Sequence, residues 1–209
     1  LAIAGFYKDW AKIGGGLSGQ NLMSYGDLPD IPSDSSDKSM LLPSGVIVGG
    51  DLKNVLEVDL RAPDQVQEWV THSWYKYADE GKGLHPFDGV TDPNFVLGPA
   101  TKGTRTNIEN LDESAKYSWI KSPRWRGNAM EVGPLARYVI GYAMGKPEFK
   151  EPVDMVLKTL DVPLPALFST LGRTAARGLE CSWAAHKMRY FFDKLMANLK
   201  GGNFATANI

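Results

Sequence analysis

From Ala166 to about Lys200 the apolar positions recur at the spacing of one helix face. Projected at about 100° per residue, Phe168, Leu171, Ala175, Leu179, Trp183, His186 and Tyr190 fall within an arc of about 120°. Arg173, Arg177, Glu180 and Lys187 line a second stripe. Such a helix would run about 50 Å, longer than a compact domain of this size is wide, which makes it the spine of something larger. Two shorter helices are expected before it. One opens at Pro134, where a missing N–H costs nothing, and closes at Gly145. The other covers Pro147 to Leu160. Pro63 to Val70, with proline early and acids in its first turn, predicts a further helix.

Strands are predicted where the period shortens. Gly45 to Val48 and Val55 to Asp59 are β-prone and joined by Gly49 to Asn54, a hairpin signal. Tyr117 to Lys121 is a third β-prone run, stopped by Pro123 and followed by a basic, aromatic turn. Asp27 to Ser39, with two prolines and four serines, is expected as an exposed loop. Residues 1–12 carry apolar and aromatic positions at helical spacing. Residues 78–113 hold no periodic stretch, and a structureless loop of that length is expected to pack on other parts of the molecule or to cover a partner.

Composition narrows the functional classes. A formal net charge of −1 over 209 residues gives no electrostatic case for nucleic acid or an anionic membrane. No apolar run approaches the roughly 20 residues that span a bilayer. A single cysteine excludes an intrachain disulfide and a four-thiolate metal site within the chain. The chain begins at Leu1 without a signal-peptide pattern and ends after Gly201-Gly202. It is expected to be one internal segment, residues 1–209, of a larger domain.

Candidate chemistry is thin. Gly14-Gly-Gly-Leu-Ser-Gly19 matches a dinucleotide fingerprint in spacing, but no strand precedes it and no helix can follow it, so a glycine-permitted turn is expected. Cys181 and His186, five apart on the spine, point about 140° away from each other and cannot share a metal. A buried structural thiol and a core histidine are expected for them. Arg173, Arg177 and Glu180 could hold an anion, against the plainer reading of an ion-pair ladder along the helix. Lys121, Arg124 and Arg126 interleave with Trp119 and Trp125; pairing with Glu131 or a partner subunit is expected rather than nucleic acid. Asp92-Pro93 is expected as a turn.

The densest stretch is Tyr117-Ser-Trp-Ile-Lys-Ser-Pro-Arg-Trp-Arg-Gly-Asn-Ala-Met-Glu-Val-Gly-Pro-Leu-Ala-Arg137. It resembles the central signature of the large subunit of membrane-bound uptake nickel–iron hydrogenases. Ser73-Trp-Tyr-Lys-Tyr77, Gly83-Leu-His-Pro-Phe-Asp-Gly-Val-Thr91 and Gly172-Arg-Thr-Ala-Ala-Arg-Gly-Leu-Glu-Cys181 resemble further parts of the same family, in the same order. The resemblance implies an α+β, mainly helical internal part of that large-subunit fold, with a long spine helix and a small β-hairpin. It implies a heterodimeric enzyme that oxidises H2 reversibly to protons and electrons. The partners it implies are an iron–sulfur small subunit and a membrane cytochrome b, at the periplasmic face of the cell membrane.

The family's nickel–iron centre carries cyanide and carbon monoxide on iron, with magnesium nearby, and is held by two cysteine pairs. Neither pair is present here, so no catalytic, cofactor-binding or metal residue is assigned and none of these groups is expected to bind the segment alone. Ser122-Pro-Arg124-Trp125 resembles the family's Ala-Pro-Arg-Gly motif only superficially, and Arg124 takes no catalytic role from it. Lys121, Arg124, Glu131, Arg137, Arg173, Arg177 and Glu180 are the candidate structural or subunit-contact residues. A metal-free relative resembling a respiratory NADH dehydrogenase subunit, and a stand-alone binding module, are the alternatives. Under the hydrogenase reading, residues 1–209 expressed alone are expected to aggregate or stay molten.

Overall fold

A computed structural model describes residues 20–30, 39–79, 81–89, 92–93, 96–97, 109–110 and 116–205. The helix expected over residues 1–12 and the glycine turn at 14–19 lie outside the described residues, as does most of the stretch 78–113.

The central layer is an antiparallel pair, β1 (Leu22–Pro29) and β2 (Met40–Ile47), in the register Leu22↔Ile47 and Met23↔Val46. Successive strand residues face opposite sides, so each side of the pair can bury its own cluster. Leu22 and Ile47 enter the larger one, with Leu135, Tyr138, Val139, Ile140, Phe149, Val153, Leu167 and Ala176. Met23 and Val46 enter the other, with Val66, Trp125 and Met130. Helices therefore cover one face of the pair, and a second small sheet covers the other.

That second sheet orders β3 (Val66–Trp69), β6 (Ser122–Trp125) and β7 (Asn128–Ala129) as antiparallel neighbours. A two-residue pair, β4 (Val96–Leu97) and β5 (Glu109–Asn110), lies apart. Helix α1 runs over Pro134–Ala143 and α2 over Pro147–Leu160, both with proline at the start as their sequences predict. A 3₁₀ turn, Leu164–Phe168, leads to α3, Thr170–Lys200, whose 31 residues extend about 46 Å.

Several expectations are corrected. Pro63 to Val70 is not a helix: Val66 and Trp69 pair with Trp125 and Ser122, and Arg126 donates its N–H to Gln65 O at 2.8 Å. Val66, Trp69 and Val70 suit either period, and an eight-residue helix is too short to outlast a ladder that buries the same valines. Pro123 lies inside β6 rather than stopping a strand. Its partner Glu68 directs both backbone groups to Leu84 (2.8 and 3.1 Å), so β3 asks no N–H of the proline. Tyr117 to Lys121 joins by one parallel bridge, Ser73↔Ser118, not as a strand.

Asp27 to Pro29 belong to β1 rather than to a loop. Gly45 to Ile47 pair chiefly with β1, and the turn at 49–54 brings back only the bridge Val46↔Leu56. Pro93 bridges Tyr75, with Lys76 N–H on Asp92 O at 2.8 Å, so Asp92-Pro93 is more than a turn. The spine begins at Thr170 instead of Ala166. Ser169 interrupts it, donating its hydroxyl to Ala166 O (2.7 Å) and accepting from Gly172 N–H (3.0 Å) as the N-cap.

On α3 the inward residues are Gly172, Ala176, Leu179 and Trp183. Beyond Trp183 the contacts back to the fold turn polar. Glu148 on α2 accepts from Trp183 Nε1 (3.1 Å) and Lys187 Nζ (2.7 Å). Asp30, at the end of β1, accepts from Tyr190 Oη (2.6 Å) and Lys194 Nζ (2.6 Å). The hydrogen bond from Lys194, then that from Tyr190, holds the Asp30 carboxyl below its usual range. A depressed carboxylate stabilises the fold above its unfolded pKa, and that contribution disappears as pH falls through the folded value. Asp30→Asn is therefore expected to leave an acid-unfolding curve shallower on the limb below pH ~4. Circular dichroism of the two proteins across that limb checks it; superimposable curves refute the tie.

Candidate functional site

The residues between β6 and α1 gather contacts from every layer. Glu131 is pinned by its backbone to β1: its N–H donates to Asn21 O (2.8 Å) and its carbonyl accepts from Met23 N–H (2.9 Å). Gly133 follows with φ +109, a conformation open to glycine, and turns the chain into Pro134 and α1. Arg137 then stands on the first turn of α1. Both side chains reach α3.

Arg173 Nε and Nη2 donate to the two Glu131 oxygens at 2.7 and 2.8 Å. Arg137 Nε and Nη2 donate to Glu180 at 2.6 and 2.5 Å. Both pairs are forked, the geometry in which arginine binds carboxylate best. Its hydrogen bonds to Glu131 raise the Arg173 guanidinium above its ordinary value, and its Nη1 also donates to Phe168 O at 2.6 Å. The signs alternate: acid then base on the junction, base then acid on the spine. Sliding α3 by two turns would set like charges together, so the two forks fix register as well as attachment.

These contacts replace the ladder expected along α3, because Arg173 and Glu180 are taken by the junction. Arg177 is exposed. Lys121 pairs not with Glu131 but with Glu68 at 2.8 Å, beside the rings of Tyr75 and Tyr77. Burial alone would lower its pKa; the hydrogen bond to Glu68, the Glu68 charge and Tyr77 together outweigh that and raise it. Arg124 donates to Gly127 O and stacks over Trp69, and Arg126 lies over Trp125. Cys181 and His186 are exposed, contrary to the buried thiol and core histidine expected: Cys181 faces away from the fold, and His186, well round the helix from it, lines an open groove with Tyr138, Glu148 and Pro152.

Sequence strings that stand apart meet here. Trp74 N–H donates to Ser118 O (3.0 Å) and Tyr117 N–H to His72 O (3.1 Å). Trp119 packs on Trp74 and Tyr75 with centroids 5.2 and 5.6 Å away. His85 contacts Leu60 O at 2.8 Å. Pro86, Phe87, Ile120, Glu68 and Lys121 line a groove of 540 Å³ beside β3. Glu68 at its wall was not singled out from sequence; an acid in a half-buried strand opposite a lysine-bearing run was the available signal.

Among the described residues no three His, Cys, Asp or Glu side chains group closely enough to hold an ion. A thiolate-held centre also needs more than the one cysteine of this chain. Replacing Glu131 by Gln is expected to destabilise by about 1–2 kcal/mol, less than for a fully buried pair because both side chains keep about a quarter of their exposure. In a double-mutant cycle, Arg137→Ala and Glu180→Ala are expected to couple by about 1 kcal/mol, and additive losses would refute a direct pair.

All 209 residues match the family model described as nickel-dependent hydrogenase. The chain belongs to that family. Among relatives of the nickel-dependent hydrogenase chain, the uptake hydrogenase large subunit of Rhizobium leguminosarum bv. viciae is 64% identical over 99% of the chain and 35% of its own length. That of Bradyrhizobium diazoefficiens is 63% identical over 100% of the chain and 35% of its length. The hydrogenase-1 large chain of Escherichia coli (strain K12) is 54% identical over the same shares. The chain thus spans about a third of the curated relatives it matches. Among solved structures, an H2-activated NiFeSe hydrogenase of Dm. baculatum aligns with TM-score 0.61 and 25% identity, covering 92% of the chain and 35% of the other. The internal α+β segment expected from sequence agrees with that neighbour's fold.

Proposed function

We propose that residues 1–209 form a single internal segment of the large subunit of a nickel–iron hydrogenase that oxidises H2 reversibly to protons and electrons. The observation that carries this is the 64% identity to an uptake hydrogenase large subunit across nearly the whole chain. The nickel–iron centre, with its cyanide and carbon monoxide ligands and its magnesium, is held by residues outside this segment. The segment's part is mechanical. Its forked pairs hold the β6–α1 junction against α3, and a rigid support of this kind limits how far metal ligands built on neighbouring elements can drift.

In this reading Glu131, Arg137, Arg173 and Glu180 are structural braces. Lys121 and Arg124 steady the β3–β6 sheet, and exposed Arg177 is the candidate for contact with another subunit. An iron–sulfur small subunit receives the electrons, and a cytochrome b passes them on at the periplasmic face of the membrane. No described helix is long and apolar enough to cross a membrane.

Purifying the intact enzyme and measuring nickel together with H2-dependent dye reduction tests the proposal. About one nickel per large subunit with dye reduction is expected. An intact complex lacking nickel would favour the metal-free relative instead.

A further inference from the structure

The turn from Leu84 to Gly89 is fastened over the groove beside β3. At its start Leu84 and Glu68 exchange both backbone hydrogen bonds, at 2.8 and 3.1 Å. At its end a Cβ on Gly89 would stand 2.8 Å from the Tyr77 hydroxyl and 3.6 Å from Lys121 Nζ. The turn therefore covers Lys121, whose side chain keeps 14% of its exposure beside Glu68. Phe87 at the tip is 92% exposed and gives the turn no apolar anchor. Its order rests instead on His85.

The contacts of that ring select one protonation state. Nε2 lies 2.8 Å from Leu60 O, which can only accept, so Nε2 carries the hydrogen. Nδ1 accepts the Phe87 N–H at 3.2 Å, so Nδ1 is bare. The His85 carbonyl meanwhile takes the Asp88 and Gly89 N–H groups, both at 2.9 Å. One neutral imidazole thus ties the turn to Leu60 and fixes its inner geometry. A second proton on the ring must go to Nδ1. There it meets the Phe87 N–H, donor against donor, and that hydrogen bond is lost.

The titratable and charged groups around the ring come from several elements. Glu68, Lys121 and Tyr25 line the same groove. Asp88 lies on the turn itself, and Asp59 and Arg61 flank Leu60. Glu68 and Lys121 pair with each other at 2.8 Å, and Asp59 accepts the Arg61 N–H at 2.9 Å. Of these residue types histidine alone ordinarily changes charge around neutral pH.

We propose that His85 is a pH-sensitive latch: protonation at Nδ1 releases the turn and opens the groove to water at Lys121 and Glu68. Deuterium exchange of the intact enzyme, read by mass spectrometry on peptides covering residues 84–89, tests it. Rates at pH ~8 and ~5.5 are divided by the intrinsic exchange rate at each pH. Protection of the Phe87, Asp88 and Gly89 amides is expected to fall at least about five-fold at the lower pH. His85→Asn offers Phe87 N–H an oxygen from the same position without titrating, so its protection is expected to be equal at both pH values. His85→Ala, with no acceptor, is expected to be as poorly protected at pH ~8 as the wild type is at pH ~5.5. Equal wild-type protection at the two pH values would overturn the latch. So would a fall in His85→Asn as steep as in the wild type, since another group would then be titrating, or a His85→Ala turn as well protected as the wild type.

Discussion

Gly172→Ala is expected to destabilise the subunit by about 4 kcal/mol or more, at the upper end of what a single methyl can do. The added Cβ would lie on the carbonyl carbon and oxygen of Leu167 and 2.5 Å from its Cα. The obstacle is backbone, in the 3₁₀ turn that Ser169 ties to α3, so no side-chain rotation relieves it. Moving Leu167 away would expose a fully buried leucine and disturb the Arg173–Phe168 contact. Soluble yield and the midpoint of thermal unfolding of the intact enzyme, compared with wild type, give the measurement. A variant as stable as wild type would mean that the turn and the helix do not approach as described.

Phe149→Ala is expected to cost about 3–5 kcal/mol. Phe149 is 1% exposed and lies where α1, α2 and α3 meet. Its ring is edge-on to Tyr138 at 5.2 Å and 6.5 Å from Trp183. A Cβ at Gly141 would stand 2.5 Å from its Cγ, so α1 is notched to admit this ring. Removal leaves a void that three helices cannot collapse into together. The same burial pushes the Tyr138 hydroxyl up to about 12, with Glu180 adding to the effect. Phe149→Ala is accordingly expected to shift Tyr138 back toward the ordinary tyrosine range, read by ultraviolet titration. A loss below about 1 kcal/mol would place Phe149 outside the core.

Legibility from sequence followed the locality of the forces. Helices α1 and α2 and most of α3 were readable because a 3.6-residue period, N-terminal prolines and Gly145 act within a few residues. Pro63 to Val70 was misread because its valines and tryptophan fit both periods, and only β6, over fifty residues later, decides between them. Pro123 was misread for the same reason: whether a strand tolerates proline depends on which neighbour needs its N–H. The acids and bases of the candidate site were visible as residue types. Their partners were not, since Glu131 and Arg173 lie far apart in sequence and nothing local distinguishes a ladder on one helix from forks between two elements.

By itself the sequence determined the family, through strings such as Trp-Ile-Lys-Ser-Pro-Arg and Glu-Val-Gly-Pro-Leu-Ala-Arg. It also determined that the thiolates of a nickel centre are not here. The tertiary structure alone decided which partners the dense stretch after Tyr117 finds. It pairs Glu131 with Arg173 and Arg137 with Glu180 across to the spine. It also divides the spine into a half that packs on this fold and a half tied back to it through polar contacts. The physical reason is that composition records which groups must be satisfied, whereas only the folded chain determines which of them satisfy one another.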